Sequence, residues 1–188
     1  MRYHPLDMPQ LIPRHEALAR IIAEGGSPVC LMCAVRDRKV GDTHVIHEDD
    51  EMLVMLPRYV RRWGHVMIMP KIHVTSFMGI DPALFLRMST LSLQCSRMVE
   101  RVLKPRRVYV ASTGSSAGEI TQSSEHLHVH IIPLYEVDDK PSSIFSWSEG
   151  VYVAERDEWE ALRASLAAAF AREASPDQGL AGKSTVGA

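Results

Sequence analysis

The apolar residues change period several times along the chain. From Arg14 to Glu24, Leu18, Ile21 and Ile22 recur at helical spacing and Gly25-Gly26 follows, which predicts a short helix after an irregular, proline-bearing start. "CLMCAVRD" leads into "THVIHEDD" and "EMLVML"; the last is almost wholly apolar, and the acidic residues between the two segments predict a hairpin containing a buried strand. "RYVRRWG" reads as a basic loop, and "HVMIMP" as another buried strand closed by Pro70. Leu84, Met88, Leu91, Cys95, Met98 and Val102 then form one continuous stripe at helical spacing. Asp81 suits the N-cap of this long helix, Pro82 its first turn, and Pro105 its stop. "RVYVAS" predicts a strand, "TGSSAGEITQSS" a polar loop, and "HLHVHIIP" a strand ended by Pro133. A last helix is expected from Glu155 to Arg172, with Trp159, Leu162, Leu166 and Phe170 on one side, followed by a small, polar tail expected to be disordered.

This order predicts an α+β fold, an antiparallel sheet with one long helix packed on it, plus N- and C-terminal helices. Residues 1–27 read as an extension with a helix, 28–150 as the main domain, 151–174 as the C-terminal helix and 175–188 as the tail. A chain of 188 residues suffices for one domain with its own core. The formal net charge of −2 supplies no basic field for nucleic acid or acidic membranes, so neither is expected as a partner. No apolar run approaches the ~20 residues of a membrane span. The N-terminus, with Pro5, Pro9 and Pro13, lacks the apolar core of a secretory signal, and a cytoplasmic location is expected.

Of the three cysteines, Cys95 lies on the long apolar stripe and is expected in the core. Cys30 and Cys33 form a C-x-x-C pair, which suggests metal or redox chemistry rather than a disulfide framework. His126, His128 and His130 occupy alternate positions. In a strand they share one face, ~6.7 Å from one to the next, while Leu127, Val129 and Ile131 enter the core. That spacing is compatible with a solvated face, with a metal site, and with nucleophilic catalysis by the middle histidine.

"HLHVHII" meets the signature His-apolar-His-apolar-His-apolar-apolar at every position, and the stretch resembles the histidine triad (HIT) family. "WGHVMIMPKIHV" is similar to the family's Gly-His, apolar run and Pro-Lys-x-His-Val segment, and "CLMC" stands where many members carry C-x-x-C. The resemblance runs from about Pro28 to Tyr135. It implies a hydrolase that cleaves nucleoside phosphate derivatives, either dinucleoside polyphosphates or nucleoside phosphoramidates, at the α-phosphorus. It makes His128 the nucleophile that forms a nucleotidyl-histidine, and His130 the contact to phosphate oxygens or the leaving group. A related transferase branch has Gln in the place of His130, so His130 favours hydrolysis. Gln122 and Ser123 match a pair that touches phosphate, with Ser123 able to serve the leaving group, and His65 matches a fourth family histidine. Read by itself, His65 is equally a core histidine that supports the site from behind.

The zinc-bearing branch of the family implies structural zinc on Cys30, Cys33, His73 and His126, which makes His126 structural. A homodimer is also implied. The chain departs from the family at Pro57, eight residues before His65, where an Asp or Asn usually binds the ribose. Arg58 is adjacent and Arg61 and Arg62 follow; Arg58 is assigned to substrate phosphate, although a run of arginines also suits a solvated loop. Thr121 replaces the family's glycine before Gln122, and Ser115, with Ser116 and Gly118, is expected to approach phosphate. Pro57 keeps a second reading open, a nucleotide-binding or regulatory protein with little turnover. A third is a metal-sensing domain built on all three triad histidines.

Overall fold

A computed structural model of the protein describes residues 8–25, 30–112, 114 and 124–173. In chain order its elements are β1 (Gln10–Ile12), α1 (Arg14–Gly25), α2 (Leu31–Arg36), β2 (His44–Glu48), β3 (Met52–Leu56), β4 (Val66–Pro70), α3 (Pro82–Leu103), β5 (Arg107–Ala111), β6 (Val129–Leu134), α4 (Pro141–Ser146), β7 (Val151–Val153) and α5 (Arg156–Glu173). Five strands form one antiparallel sheet in the order β2-β3-β4-β6-β5, and β1 pairs separately with β7.

Alternation along the buried strands supplies two apolar faces. Val54 and Leu56 of β3, Val66 and Ile68 of β4 and Ile131 of β6 meet the stripe of α3, and Trp159, Leu162, Leu166 and Phe170 of α5 join the same core. Leu53, Met55, Met67 and Met69 face the other way and meet Met32 of α2. Helix α3 begins as its sequence predicts: Asp81 Oδ1 accepts from the backbone N–H groups of Ala83 (2.8 Å) and Leu84 (3.3 Å), with Pro82 in the first turn. It ends on Lys104 in the left-handed region, φ 50°, directly before Pro105. Cys95 is fully buried on the stripe, and burial pushes its thiol up to about 12.

Several segments differ from the sequence reading. "CLMCAVRD" contains the six-residue helix α2, too short to show a period, and α4 and the β1–β7 pair were equally unmarked. In α1 the packed residues are Ala17, Leu18 and Ile21, which meet Ile12, Trp147 and Val151; Ile22 is 71% exposed because only this narrow face finds a partner. The strand expected from His126 starts at Val129 and runs through Pro133. Its pairing with β4 covers only Val129 to Ile131, so Pro133 lies beyond that ladder and removes no bond from it. Before Val129 the chain leaves the sheet, and the Leu127 N–H instead donates to the Val74 carbonyl at 2.7 Å.

"RYVRRWG" is no solvated loop. Val60, Arg61, Arg62 and Trp63 are all buried. Arg62 pairs with Asp139 (2.5 Å) and Glu149 (2.8 Å), Tyr135 donates its hydroxyl to the Trp63 carbonyl (2.7 Å), and Val60 bridges to Tyr152. Gly64 follows with φ +83°, and a Cβ there would collide with Leu103 at the end of α3. The Gly-His pair thus keeps the chain close to α3 as it enters β4. The irregular start at residues 1–7 and the expected disordered tail lie outside the described residues.

Replacing Leu91, which is 1% exposed at the α3–sheet contact, by Ala is expected to lower stability by about 2–5 kcal/mol through lost transfer energy and a residual cavity. Urea denaturation of the two proteins measures it.

Candidate functional site

The first part of the site is built by a helix start. Cys30 is the N-cap of α2, in an extended conformation, and its Sγ accepts the Cys33 N–H at 3.4 Å. That turn gathers both thiols at one end of the helix. His73 reaches them from the turn after β4, and His126 from the segment before β6. The Cys33 Sγ lies 3.4 Å from His73 Nδ1 and 3.5 Å from His126 Nδ1, and Cys30 Sγ lies 3.7 Å from His126 Nδ1. All four donor atoms fall within 4.8 Å of one another.

These distances fit a tetrahedral ion. With metal–sulfur bonds of about 2.3 Å and metal–nitrogen bonds of about 2.0–2.1 Å, tetrahedral angles set sulfur and nitrogen about 3.6 Å apart. The His126 ring is also oriented for ligation: its Nε2 lies 2.8 Å from the Pro70 carbonyl, which fixes the proton there and leaves Nδ1 free toward the thiols. Burial and the neighbouring Cys30 push the Cys33 thiol up, a penalty that a bound cation reverses. Cys30, Cys33, His73 and His126 therefore form a group able to hold a metal.

The second part lies on the same sheet face as Met67 and Met69. His130 pairs across the ladder with Met67, while Leu127, Val129 and Ile131 point into the α3 core as expected. His128 and His130 are 7% and 5% exposed, with ring centroids 4.6 Å apart. His128 Nδ1 lies 2.5 Å from the carbonyl oxygen of His126, and the His128 carbonyl accepts the Ser112 hydroxyl at 2.7 Å. His65 is 2% exposed and sits behind His130, with its Nε2 2.9 Å from His130 Nδ1. Burial is the main cause that pushes His65, His128 and His130 all below the usual histidine value.

The positive charge of Arg61 pushes the same three histidines down further. Arg61 is 7% exposed, its guanidinium lies 5.3 Å from the Phe145 ring and 5.6 Å from the Trp147 ring, and the same Phe145 ring lies 6.1 Å from that of His130. Arg61, Phe145 and Trp147 had no place in the sequence-based site. A run of three arginines in seven residues carries the signal, but nothing in it says which one turns inward.

The structure thus brings together Cys30, Cys33, His73 and His126, and separately His65, His128 and His130. Arg58 is not among them. It lines a different cleft with Arg20, Asp42, His44, Tyr59 and Trp159, which contains none of the triad histidines. Ser115, Ser116, Gly118, Thr121, Gln122 and Ser123 lie outside the described residues.

Comparison with known proteins agrees with this geometry. The chain is 28% identical over 108 residues to an uncharacterized HIT-like protein, MG132, of Mycoplasma genitalium, covering 57% of this chain and 74% of that protein. Its fold is similar to the crystal structure of a hypothetical histidine triad nucleotide-binding protein, ST2152, from Sulfolobus tokodaii, with TM-score 0.61, 24% identity, and 76% and 93% of the two chains covered. It is also similar to a zinc-bound histidine triad family protein from Mycobacterium smegmatis, with TM-score 0.58, 21% identity, and 77% and 94% covered. Residues 38–137, more than half of the chain, match the HIT domain, and the chain belongs to this family of the nucleotide-binding and hydrolase superfamily.

Proposed function

We propose that the protein hydrolyses nucleoside phosphate derivatives, dinucleoside polyphosphates or nucleoside phosphoramidates, at the α-phosphorus through a covalent nucleotidyl-histidine on His128. The observation that carries this reading is the 2.5 Å contact between His128 Nδ1 and the His126 carbonyl. A carbonyl only accepts, so Nδ1 holds the proton and Nε2 keeps its lone pair. Burial keeps the ring neutral at neutral pH. In the first step Nε2 bonds to phosphorus and the bond from phosphorus to the leaving group breaks. The ring then carries positive charge, and its Nδ1–H bond to the His126 carbonyl strengthens. In the second step a water oxygen bonds to phosphorus and loses one proton, which balances the proton taken up by the leaving group; the phosphorus–Nε2 bond breaks with its electron pair returning to Nε2, and nucleoside monophosphate leaves.

A neighbouring proton follows from burial. His65 Nδ1 is buried without a partner among the described residues. A buried bare nitrogen costs less than an orphaned N–H, so His65 carries its proton on Nε2 and donates it to His130 Nδ1. His130 then holds its own proton on Nε2, where it can donate to a phosphoryl oxygen or the leaving atom. His65 is accordingly a positioning residue. Gln122, Ser123 and Ser115 complete the phosphate contacts in this reading on the strength of the family resemblance, whereas Arg58 takes no part in it.

Cys30, Cys33, His73 and His126 would hold a structural zinc, a closed cross-link between α2, the turn after β4 and the segment that carries His128. We place this activity in the domain 28–150, in a cytoplasmic homodimer. Among the described residues no helix is long and apolar enough to cross a membrane.

Incubation with adenosine 5′-phosphoramidate or diadenosine tetraphosphate is expected to release AMP, and His128→Ala to reduce the rate at least about a thousandfold. Tight nucleotide binding without AMP release would favour the binding protein with little turnover. Metal analysis is expected to find one zinc per chain, retained in His128→Ala and lost in Cys33→Ser; loss with His128 would favour a sensor built on the triad.

Stability should also depend on pH. His65 and His130 titrate near 6.5 when unfolded and well below it when folded, so below pH 6.5 the unfolded chain binds more protons. Their contribution is complete above pH 6.5 and is lost as the pH falls, by up to about 1.4 kcal/mol per pH unit for each group. Urea denaturation at pH 7.5 to 5.5 in excess zinc is expected to give a shallower slope for His65→Gln than for the wild type. Protonation of the metal ligands acts on both proteins and cancels in the comparison.

A further inference from the structure

Arg61 is a buried charged group that the proposed reaction does not use. It is more than nine-tenths buried, and among the described residues its Nη1 has no hydrogen-bond partner. Asp139 and Glu149 both pair with its neighbour Arg62. Burial pushes the guanidinium down only to about 10, so it keeps its charge at neutral pH. A desolvated cation without an anion is costly, and the faces of Phe145 and Trp147 offset only part of that cost. An anion from outside the chain would complete the set.

The position of the group says which anion. Arg61 and His130 both lie against the Phe145 ring, and His130 in turn contacts His65 and His128. Its surroundings are also held in place. Trp147 is fixed in the left-handed region, φ 58°, at the end of α4, and Arg62, Val60 and Trp63 pin the loop on both sides of Arg61. Pro57, which by the family resemblance stands where an Asp or Asn binds ribose, has no side-chain donor or acceptor.

We propose that Arg61 is the phosphate anchor of the triad site, its buried guanidinium donating to a phosphoryl oxygen of the substrate, so that phosphoryl charge rather than ribose governs recognition. This rests on the reading of the triad as a phosphoryl-transfer site. The ligand class is a phosphate or polyphosphate anion, with or without a nucleoside attached.

Calorimetric titration of the full chain with AMP, inorganic pyrophosphate and adenosine tests this, using wild type, Arg61→Met and Arg61→Lys. Methionine keeps an unbranched apolar body between the two rings. It is expected to weaken AMP and pyrophosphate roughly 10- to 150-fold, the range for a charge-assisted hydrogen bond, and to leave adenosine unchanged. Lysine is expected to fall between, because it restores the charge without the fork. The melting temperature of Arg61→Met is expected not to fall, since an uncompensated buried charge has gone. Unchanged affinity for AMP and pyrophosphate in Arg61→Met would overturn the proposal. So would a drop in melting temperature with equal losses for all three probes, the mark of a packing brace. Wild type that binds no phosphate-bearing probe would overturn it as well. If pyrophosphate binds through Arg61 while AMP neither binds nor is released, the anchor stands and the nucleotide hydrolase reading fails.

Discussion

One residue, His126, joins the two halves of the site. Its ring donates to the Pro70 carbonyl and turns its other nitrogen toward Cys30 and Cys33, while its own carbonyl receives His128 Nδ1. The same short segment therefore sets the geometry of the metal-ligand group and the tautomer of the proposed nucleophile. A shift of the His126 backbone would disturb both. A metal held by that ligand group would limit the motion of the carbonyl that holds the His128 proton.

The fold around this residue separates apolar from polar work. Helices α3 and α5 cover one face of the sheet with a continuous core, so that Leu127, Val129 and Ile131 anchor the histidine segment from behind. The other face is only partly closed, by Met32 of α2 at one end and by Ile144 of α4 at the other. His130 lies on that face too, paired with Met67, and both His128 and His130 are buried, with the Phe145 ring beside His130. Three buried histidines pushed toward the neutral form are a poor way to add stability. They are better explained by a task that needs neutral rings with assigned protons.

Much of this was legible in the sequence because the relevant signals are local. The stripe from Leu84 to Val102, with Asp81 and Pro82 ahead of it, specifies α3 by period and cap alone. "EMLVML" and "HVMIMP" specify buried strands by composition, and the alternation of the histidine segment gave the correct faces. What was not legible depends on distant partners. Helix α2 is too short for a period, and it forms where Cys30 caps its own turn. The strand at His126 begins three residues late because its neighbour β4 stops laddering at Ile68, after which Val74 takes the Leu127 N–H. Leu127 still reaches the α3 core although it precedes the ladder.

The arginine run shows the same limit more sharply. Arg58, Arg61 and Arg62 are chemically identical and lie within five residues of one another, yet they have three fates. Arg58 turns into a cleft away from the histidines, Arg62 is neutralised by Asp139 and Glu149, and Arg61 is buried without an anion beside them. Composition cannot separate the three, because the deciding groups come from 77 and 87 positions further along the chain. Arg62 occupies both Asp139 and Glu149, and Arg61 stays charged in a desolvated place without an acid partner among the described residues. A protein under selection for stability alone would have an apolar residue there. The retained charge is the ground for proposing that Arg61 acts on an anion from outside the chain, and Phe145 links it to His130 of the triad face.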